Sequence, residues 1–590
     1  MTGQNKSQIS SNGMVFIILM LICINIVMLI HNRVVHAETD GWDGKTVESY
    51  AEGDGTKENP YQISKPEHLA YLAKMVNAGE PYIDTYFLVT EDIDLNNKKW
   101  TAIGNTMTEF QGYFDGDLHT ISNLYIKKTK KAQGLFAYTV GAEITKIKLS
   151  GVNIKGETCV GGLIGIAKNT KLIQCTVAGT ISGTENVGGL VGSFGDDTAV
   201  EYIKSSVNKA KVTGTKNVGG IAGYGLGRVY KSNNYGDIYG TQFVGGIIGL
   251  GMAEACVNHG SICGVQDIGG MVGMTVFAAD LAKCVNLGTI IGSIEVGGIA
   301  GNLIDGSKAL ACSNYGAITG TERVGGICGV GNFKQVYNCG VVTGTQYVGG
   351  ISGYAYNGIS TAAYNTGKVV GGKTGVAIGG IIGYLQESET GSGLQDSYST
   401  GKITGKKQVG GVVGYNGGAV TNTFYKVNTA KVGIGKGNKG TARPKEAADM
   451  KKASFLTLLN VTETNWKQKS GKYPTLTNCQ YASSSNKSTA HSVNKVTGFA
   501  GDPTKSKITL SWTAQMRLTG YEIYQYNKTK KKYVKLATID SIDVASGSIS
   551  QHTVTKLKSK TTYKFRIRGY KQVANKKYYG KYVTISVKTK

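Results

Sequence analysis

The amino-acid sequence predicts an all-β chain: a parallel β-solenoid (β-helix) of glycine-punctuated repeats with capping helices, followed by a separate β-sandwich. Three observations lead there. Glycine contributes 85 of 590 residues and proline only 6, while 41% of the chain is hydrophobic; this balance excludes collagen and argues against a disordered Pro/Gly tract. A hydrophobic residue followed by Gly-Gly, two residues and a third Gly recurs ten times, with first glycines Gly161, Gly188, Gly219, Gly245, Gly269, Gly297, Gly325, Gly349, Gly379 and Gly410. Their spacings of 24 to 31 residues are the period of stacked arrays, not of independent domains. Near the C-terminus the pattern changes to alternating strands, as in Ile508 to Trp512, Gly520 to Tyr524 and Tyr563 to Ile567.

In chain order, residues 1–37 read as an export signal. Met14 to Ile30 is apolar except for Asn25, Lys6 precedes it, and Val35-His36-Ala37 offers a cleavage site after Ala37. The apolar run also reaches spanning length, so an uncleaved N-terminal anchor is the alternative and the one membrane contact the sequence suggests. Residues 38–150 are read as an N-terminal cap and the first coils, because a solenoid exposes an unpaired edge at each end. Ser64 and Glu67 form a capping-box pattern ahead of Leu69, Leu72, Ala73 and Val76 at helical spacing. Residues 151–430 hold the repeats. Residues 431–481 are read as the C-terminal cap, with a second helix over Lys445 to Leu459 closing the other end. A linker, 482–492, leads to the sandwich at 493–590.

Within each repeat the glycine core is followed by two more short β-like pieces, as in Tyr202 to Asn208 and Lys211 to Gly214, so three strands per period imply a three-sided coil. The glycine pair allows φ above zero and close backbone approach at a corner. Asn208, Asn234, Asn258, Asn286, Asn314, Asn338 and Asn365 fall at one equivalent position, where stacked amides can hydrogen-bond from coil to coil; the alternative is an exposed asparagine binding face. Cys175, Cys256, Cys284 and Cys312 share another position, filled elsewhere by Ser206 and Ser232, and read as inward free thiols.

The Val-Gly-Gly-hydrophobic-x-Gly repeat resembles the GLUG repeats first named in IgA-specific metallopeptidases. Segments upstream (Pro60-Tyr61-Gln62-Ile63, Asp92-Ile93-Asp94-Leu95, Phe114-Asp115-Gly116) and downstream (Trp466, Tyr473-Pro474-Thr475-Leu476) resemble those that flank such arrays. The resemblance implies a parallel β-helix at a bacterial cell surface. Residues 493–590 resemble a fibronectin type III domain, with Trp512 as its buried tryptophan and Leu557 to Tyr563 as the segment of its tyrosine corner.

Formal net charge is +26, and residues 491–590 carry 21 Lys or Arg against 4 Asp or Glu. The basicity therefore belongs to the sandwich. It should feel anionic cell-wall polymers or host glycans and proteins through its field, in a salt-dependent way; no nucleic-acid-binding fingerprint appears. No catalytic, metal or cofactor constellation is recognised. His68, His119, His259, His491 and His552 are scattered and no His-Glu-x-x-His occurs, so a peptidase is not expected. Asp267 and Glu295, at equivalent pre-glycine positions on adjacent coils between Phe243 and Arg323, are a candidate retaining-glycosidase pair; solvated turns also account for them. The expectation is an exported, non-enzymatic surface protein of structural or adhesive role. The alternatives are a carbohydrate-active β-helix and a non-catalytic fragment related to GLUG-containing peptidases.

Overall fold

The computed structural model describes residues 41–590 except 129–130, 196–201, 277–278, 305, 390, 439, 479–492, 494, 514–517, 519, 541–548 and 574–575. The N-terminal apolar segment, Ala37, His491 and the whole linker 482–492 lie outside the described residues. Among the described residues no helix is long and apolar enough to cross a membrane. Fifty-one strands, from Tyr61–Ile63 to Ala442–Lys445, join in one sheet of parallel pairs, wound into about 13 turns.

Register is exact in composition as well as geometry. Val218 lies beside Val244, then Ile268, Val296, Val324 and Val348, and all are fully buried. A full turn contributes four strand segments, such as Ile248–Glu254, Val257–Asn258, Ile262–Cys263 and Gln266–Gly269, where the spacing predicts three. The additional break follows the ladder asparagine. Asn258 Oδ1 accepts from the Gly260 amide and its Nδ2 donates to the Gly260 carbonyl, which bends the chain after two residues.

The corners are turned by residues other than the glycines. The residue before the hydrophobic-Gly-Gly core is left-handed in all ten repeats, with φ from 51 to 58° at Cys159, Asn186, Asn217, Phe243, Asp267, Glu295, Arg323, Tyr347, Ala377 and Gln408. A second left-handed column precedes the cysteine position, at Gln174, Ser205, Lys231, Ala255, Lys283 and Ala311. None of the paired glycines has positive φ. This corrects one of the two roles expected of the pair and leaves the other, space. A Cβ on Gly219 would stand 1.9 Å from the Ala222 carbonyl oxygen and 2.7 Å from Ile248 Cα of the next turn. On Gly220 it would meet the Gly246 carbonyl oxygen at 2.2 Å and the Asn234 side chain at 2.6 Å; on Gly223, the backbone of Asn186 one turn back at 2.4 Å.

The asparagines form an internal hydrogen-bonded column. Each Nδ2 donates to the next Oδ1, from Asn208 through Asn365, over 2.7 to 2.9 Å. All seven side chains are fully buried, so the exposed-face alternative is overturned. The four cysteines are buried and free, as expected. Cys256 Sγ donates to the Val229 and Glu254 carbonyls at 3.4 and 3.3 Å, and burial pushes the Cys175 thiol up to about 12.

At the N-terminal end, helix α1 (Pro66–Asn77) buries Leu69, Leu72, Ala73 and Val76 in the core of the first turns, as their spacing predicts. Its start differs from the expected capping box. Lys65 is the N-cap, no side chain caps the helix, and Pro66 opens it with φ already set; the Ser64 hydroxyl instead faces His68 Nδ1 at 3.4 Å. The C-terminal cap also differs. Ala442–Lys445 is still solenoid strand, Asp449–Lys451 is a single 3-10 turn, and helix α2 spans only Ala453–Leu459. Met450, Phe455, Leu459, Trp466 and Leu476 pack not across the end but along a flank, over Tyr337, Tyr364, Tyr398 and Phe424 of successive turns. Tyr398 donates to the Pro474 carbonyl at 2.6 Å and Lys334 pairs with Glu463 at 2.8 Å. The last edge, Ile434–Gly437 and Ala442–Lys445, carries Lys436, Arg443, Pro444 and Lys445, residues that discourage further strand addition.

Residues 497–588 form a sandwich of a three-stranded sheet (497–503, 508–513, 549–554) and a five-stranded sheet (532–540, 520–527, 562–573, 576–579, 583–588). Trp512 is fully buried between them. The Tyr563 hydroxyl accepts from the Lys558 amide at 2.9 Å, the corner expected for that segment.

Gly219→Val is expected to lower unfolding stability by about 3 kcal/mol or more, because the new Cβ strikes backbone rather than movable side chains. Chemical denaturation followed by circular dichroism measures it, with the half-exposed Lys216→Ala as a near-neutral control. Equal midpoints for the two variants would show that the glycine position has room.

Candidate functional site

In a stacked repeat, the inward columns are dictated by packing, and residue variety falls at the corners and the positions beside them. Two adjoining columns vary most. The first is the left-handed corner, where bulky Phe243, Glu295, Arg323 and Tyr347 occupy a conformation that strains a side-chain-bearing residue. Glycine would relieve the backbone there, so these side chains serve something beyond the turn. The second column follows the third glycine of each core: Ile166, Ser193, Tyr224, Leu250, Met274, Asn302, Val330, Tyr354, Tyr384 and Tyr415 lie in register, turn upon turn.

The columns touch across the glycine core. Asn302 Nδ2 donates to Glu295 Oε2 at 2.9 Å, the Arg323 guanidinium lies 5.5 Å from the Tyr354 ring centre, and the Tyr347 ring packs 4.9 Å from that of Tyr384. Toward the C-terminal turns, Tyr354, Tyr384 and Tyr415 stack nearly parallel at 5.3 and 4.7 Å. All three are half-buried. The facing sides of these rings cover one another, so the stack offers outward a row of ring edges, bordered by Arg323, with the Tyr354 hydroxyl donating to Gln386. Tyrosine rings of this kind combine apolar area with a polar tip.

Asp267 and Glu295 are brought together, as their equivalent positions imply, but with 2% and 8% exposure they are not solvated turns. Burial, then a hydrogen bond from the pair and the charge of Glu295, raise the Asp267 carboxyl to about 8. Asp267 is therefore the carboxyl that keeps its proton toward neutral pH. The next turn completes the chain, with Arg323 Nη1 2.5 Å from Glu295 Oε1. Two buried carboxyl groups, with Glu295 covered by Arg323 and Asn302, leave no open cleft for a sugar ring. The arrangement is an internal acid–carboxylate–guanidinium relay of charge that braces three turns.

The histidines are not brought together. His68 sits on α1, His119 lies 3.4 Å from Asp92, His259 stacks on Tyr235 at 4.2 Å, and His552 lies on a strand of the sandwich. Among the described residues no group of His, Cys, Asp or Glu has metal-holding geometry. The tyrosine stack escaped the sequence reading although its signal is present: Gly353-Tyr354, Gly383-Tyr384 and Gly414-Tyr415 repeat one dipeptide at one register.

Because the folded state holds a proton on Asp267 that the unfolded chain releases near pH 4, stability is expected to fall as pH rises from about 4 to 8, by about 1 kcal/mol per pH unit. Asp267→Asn, always neutral, should flatten that slope. Denaturation midpoints at pH 5 and pH 8.5 measure it, and parallel profiles for the two proteins would rule out the shared proton.

Comparison with known proteins places two parts of the chain. A stretch of 180 residues, 28% of the chain, is 31% identical to halomucin of Haloquadratum walsbyi, of which it covers 2%. A stretch of 86 residues, 14% of the chain, is 34% identical to a protein described as a Gly-rich membrane protein of Evansella cellulosilytica, of which it covers 9%. The chain thus matches under a tenth of the length of either relative. Residues 494–585 match the fibronectin type III domain family, and with the two-sheet core around Trp512 they are a fibronectin type III domain.

Proposed function

We propose that this chain is an exported, non-enzymatic bacterial surface protein, in which a GLUG-type solenoid presents an outward strip to a glycan or protein ligand and the basic fibronectin type III domain holds anionic polymers. Export is carried by the apolar segment before Ala37, with cleavage there. Similarity to halomucin and to a protein described as a Gly-rich membrane protein supports a surface setting. The observation that carries the binding role is the two-column strip. A spacer needs only evenly polar sides, whereas Tyr347, Tyr354, Tyr384 and Tyr415 gather aromatic area on one side of the coil. The closed Asp267–Glu295 pair disfavours the carbohydrate-active alternative.

The experiment is a glycan and matrix-protein binding panel with the mature chain and with Tyr354→Ser/Tyr384→Ser/Tyr415→Ser. Loss of one roughly micromolar interaction by tenfold or more in the triple variant is expected, since three interfacial aromatics are removed. Binding that survives intact would place the ligand elsewhere; hydrolysis of any glycan on the panel would overturn the non-enzymatic reading.

A further inference from the structure

On the outer face of the five-stranded sheet, Tyr524 lies between Lys535 and Arg566 of the neighbouring strands, and Glu522 lies beside Arg568. Glu522 is 1% exposed and bonded to Lys535 at 2.5 Å, Arg568 at 2.8 Å and the Tyr524 hydroxyl at 2.6 Å. Burial would raise its pKa, but these donors outweigh burial and hold the carboxyl at about 2. It is thus a fixed anion that engages two of the cations around it. Arg566 is different. Its guanidinium is clamped by rings, with the centres of Tyr582, Tyr533 and Tyr524 at 3.8, 4.3 and 5.0 Å, and its Nε is buried without an acceptor. Among the described residues Arg566 has no ion pair.

We infer that this face is a docking site for a linear polymer bearing phosphodiester groups, with Arg566 as its oriented anion-binding donor. A planar guanidinium presents two parallel N–H groups that fit the two free oxygens of a phosphodiester. The rings have already restricted its motion and partly desolvated it, which strengthens charge attraction. Among the described side chains of this face, Lys535, Lys564, Arg566 and Arg568 stand against Glu522, so a positive surplus remains after Glu522 is satisfied. Lys564, Arg566 and Arg568 alternate along one strand, which spaces their charges by about 7 Å. Such a row suits a chain of repeated anions better than one small ion. This deepens the anionic-polymer part of the proposed function and rests on it.

The test is titration of the full chain with poly(glycerol phosphate), and with polyglutamate of matched charge, at low salt and at 0.15 M. Arg566→Lys keeps the charge and removes the fork; it should weaken poly(glycerol phosphate) binding roughly tenfold, against about twofold for the charge-removing Lys564→Gln. Thr584→Glu leaves Arg566 in place but sets a carboxylate beside it on the neighbouring strand, from an exposed position, and should weaken binding at least as much. Thermal unfolding of each variant separates these effects from misfolding. Equal affinities for the native chain and Arg566→Lys, or equal affinities for the two polymers, would overturn the site while leaving general charge attraction standing. No binding even at low salt would remove both.

Discussion

Everything in the solenoid follows from the demand that each turn lie one β-spacing, about 4.8 Å, from the next along its whole perimeter. At that distance the backbone of one turn occupies the space where the Cβ atoms of its neighbour would go; this happens at the three glycines of the core and again at the glycine two residues after a ladder asparagine, such as Gly260 and Gly288. Of the core glycines, the first clears the carbonyl three residues on, the second clears the asparagine column, and the third clears the turn before it. The corner is then left to ordinary residues in the left-handed region. Each costs about 1 kcal/mol or more of strain, a cost the continuous ladder of backbone bonds around it sustains.

The architecture was legible because a repeated constraint leaves a repeated residue. Val-Gly-Gly and the asparagine column are visible without coordinates, and so is the inward Cys/Ser position. What was not legible was the division of labour inside the repeat. Glycine suggests positive φ, but the left-handed residues vary from Cys159 to Gln408 and share no side-chain property, so sequence pattern cannot mark them. The capping box over Ser64 and Glu67 failed for a local reason: Pro66 set the first helical turn and moved the cap to Lys65. The lateral course of residues 446–478 depends on the aromatic rings of four separate turns, a long-range match that periodicity does not register.

The candidate strip was half legible. Asp267 and Glu295 are placed together by counting from the glycines, yet the burial that raises the Asp267 carboxyl appears only when the turns are stacked. Tyr354, Tyr384 and Tyr415 stand at a fixed offset from the third glycine and were readable in principle. In the fibronectin type III domain, the excess of Lys and Arg is plain, whereas the clamp on Arg566 arises only when the strands bearing Tyr524 and Tyr533 and the segment leading into the last strand, with Tyr582, are folded side by side.

The flank-wise path of residues 446–478 also decides how this molecule bears load. Asn478, the last described residue before the linker, bonds to Gln335 at 3.2 Å, several turns inside the array and away from its terminal edge. Tension transmitted from the C-terminal domain therefore enters at Gln335 and runs along a strap anchored by Glu463, Asn465, Pro474 and Trp466 to several turns. The final turn, Ile434–Lys445, is shielded from peeling until that strap has been stripped, so the strap works as a mechanical fuse that yields before the stack of coils does.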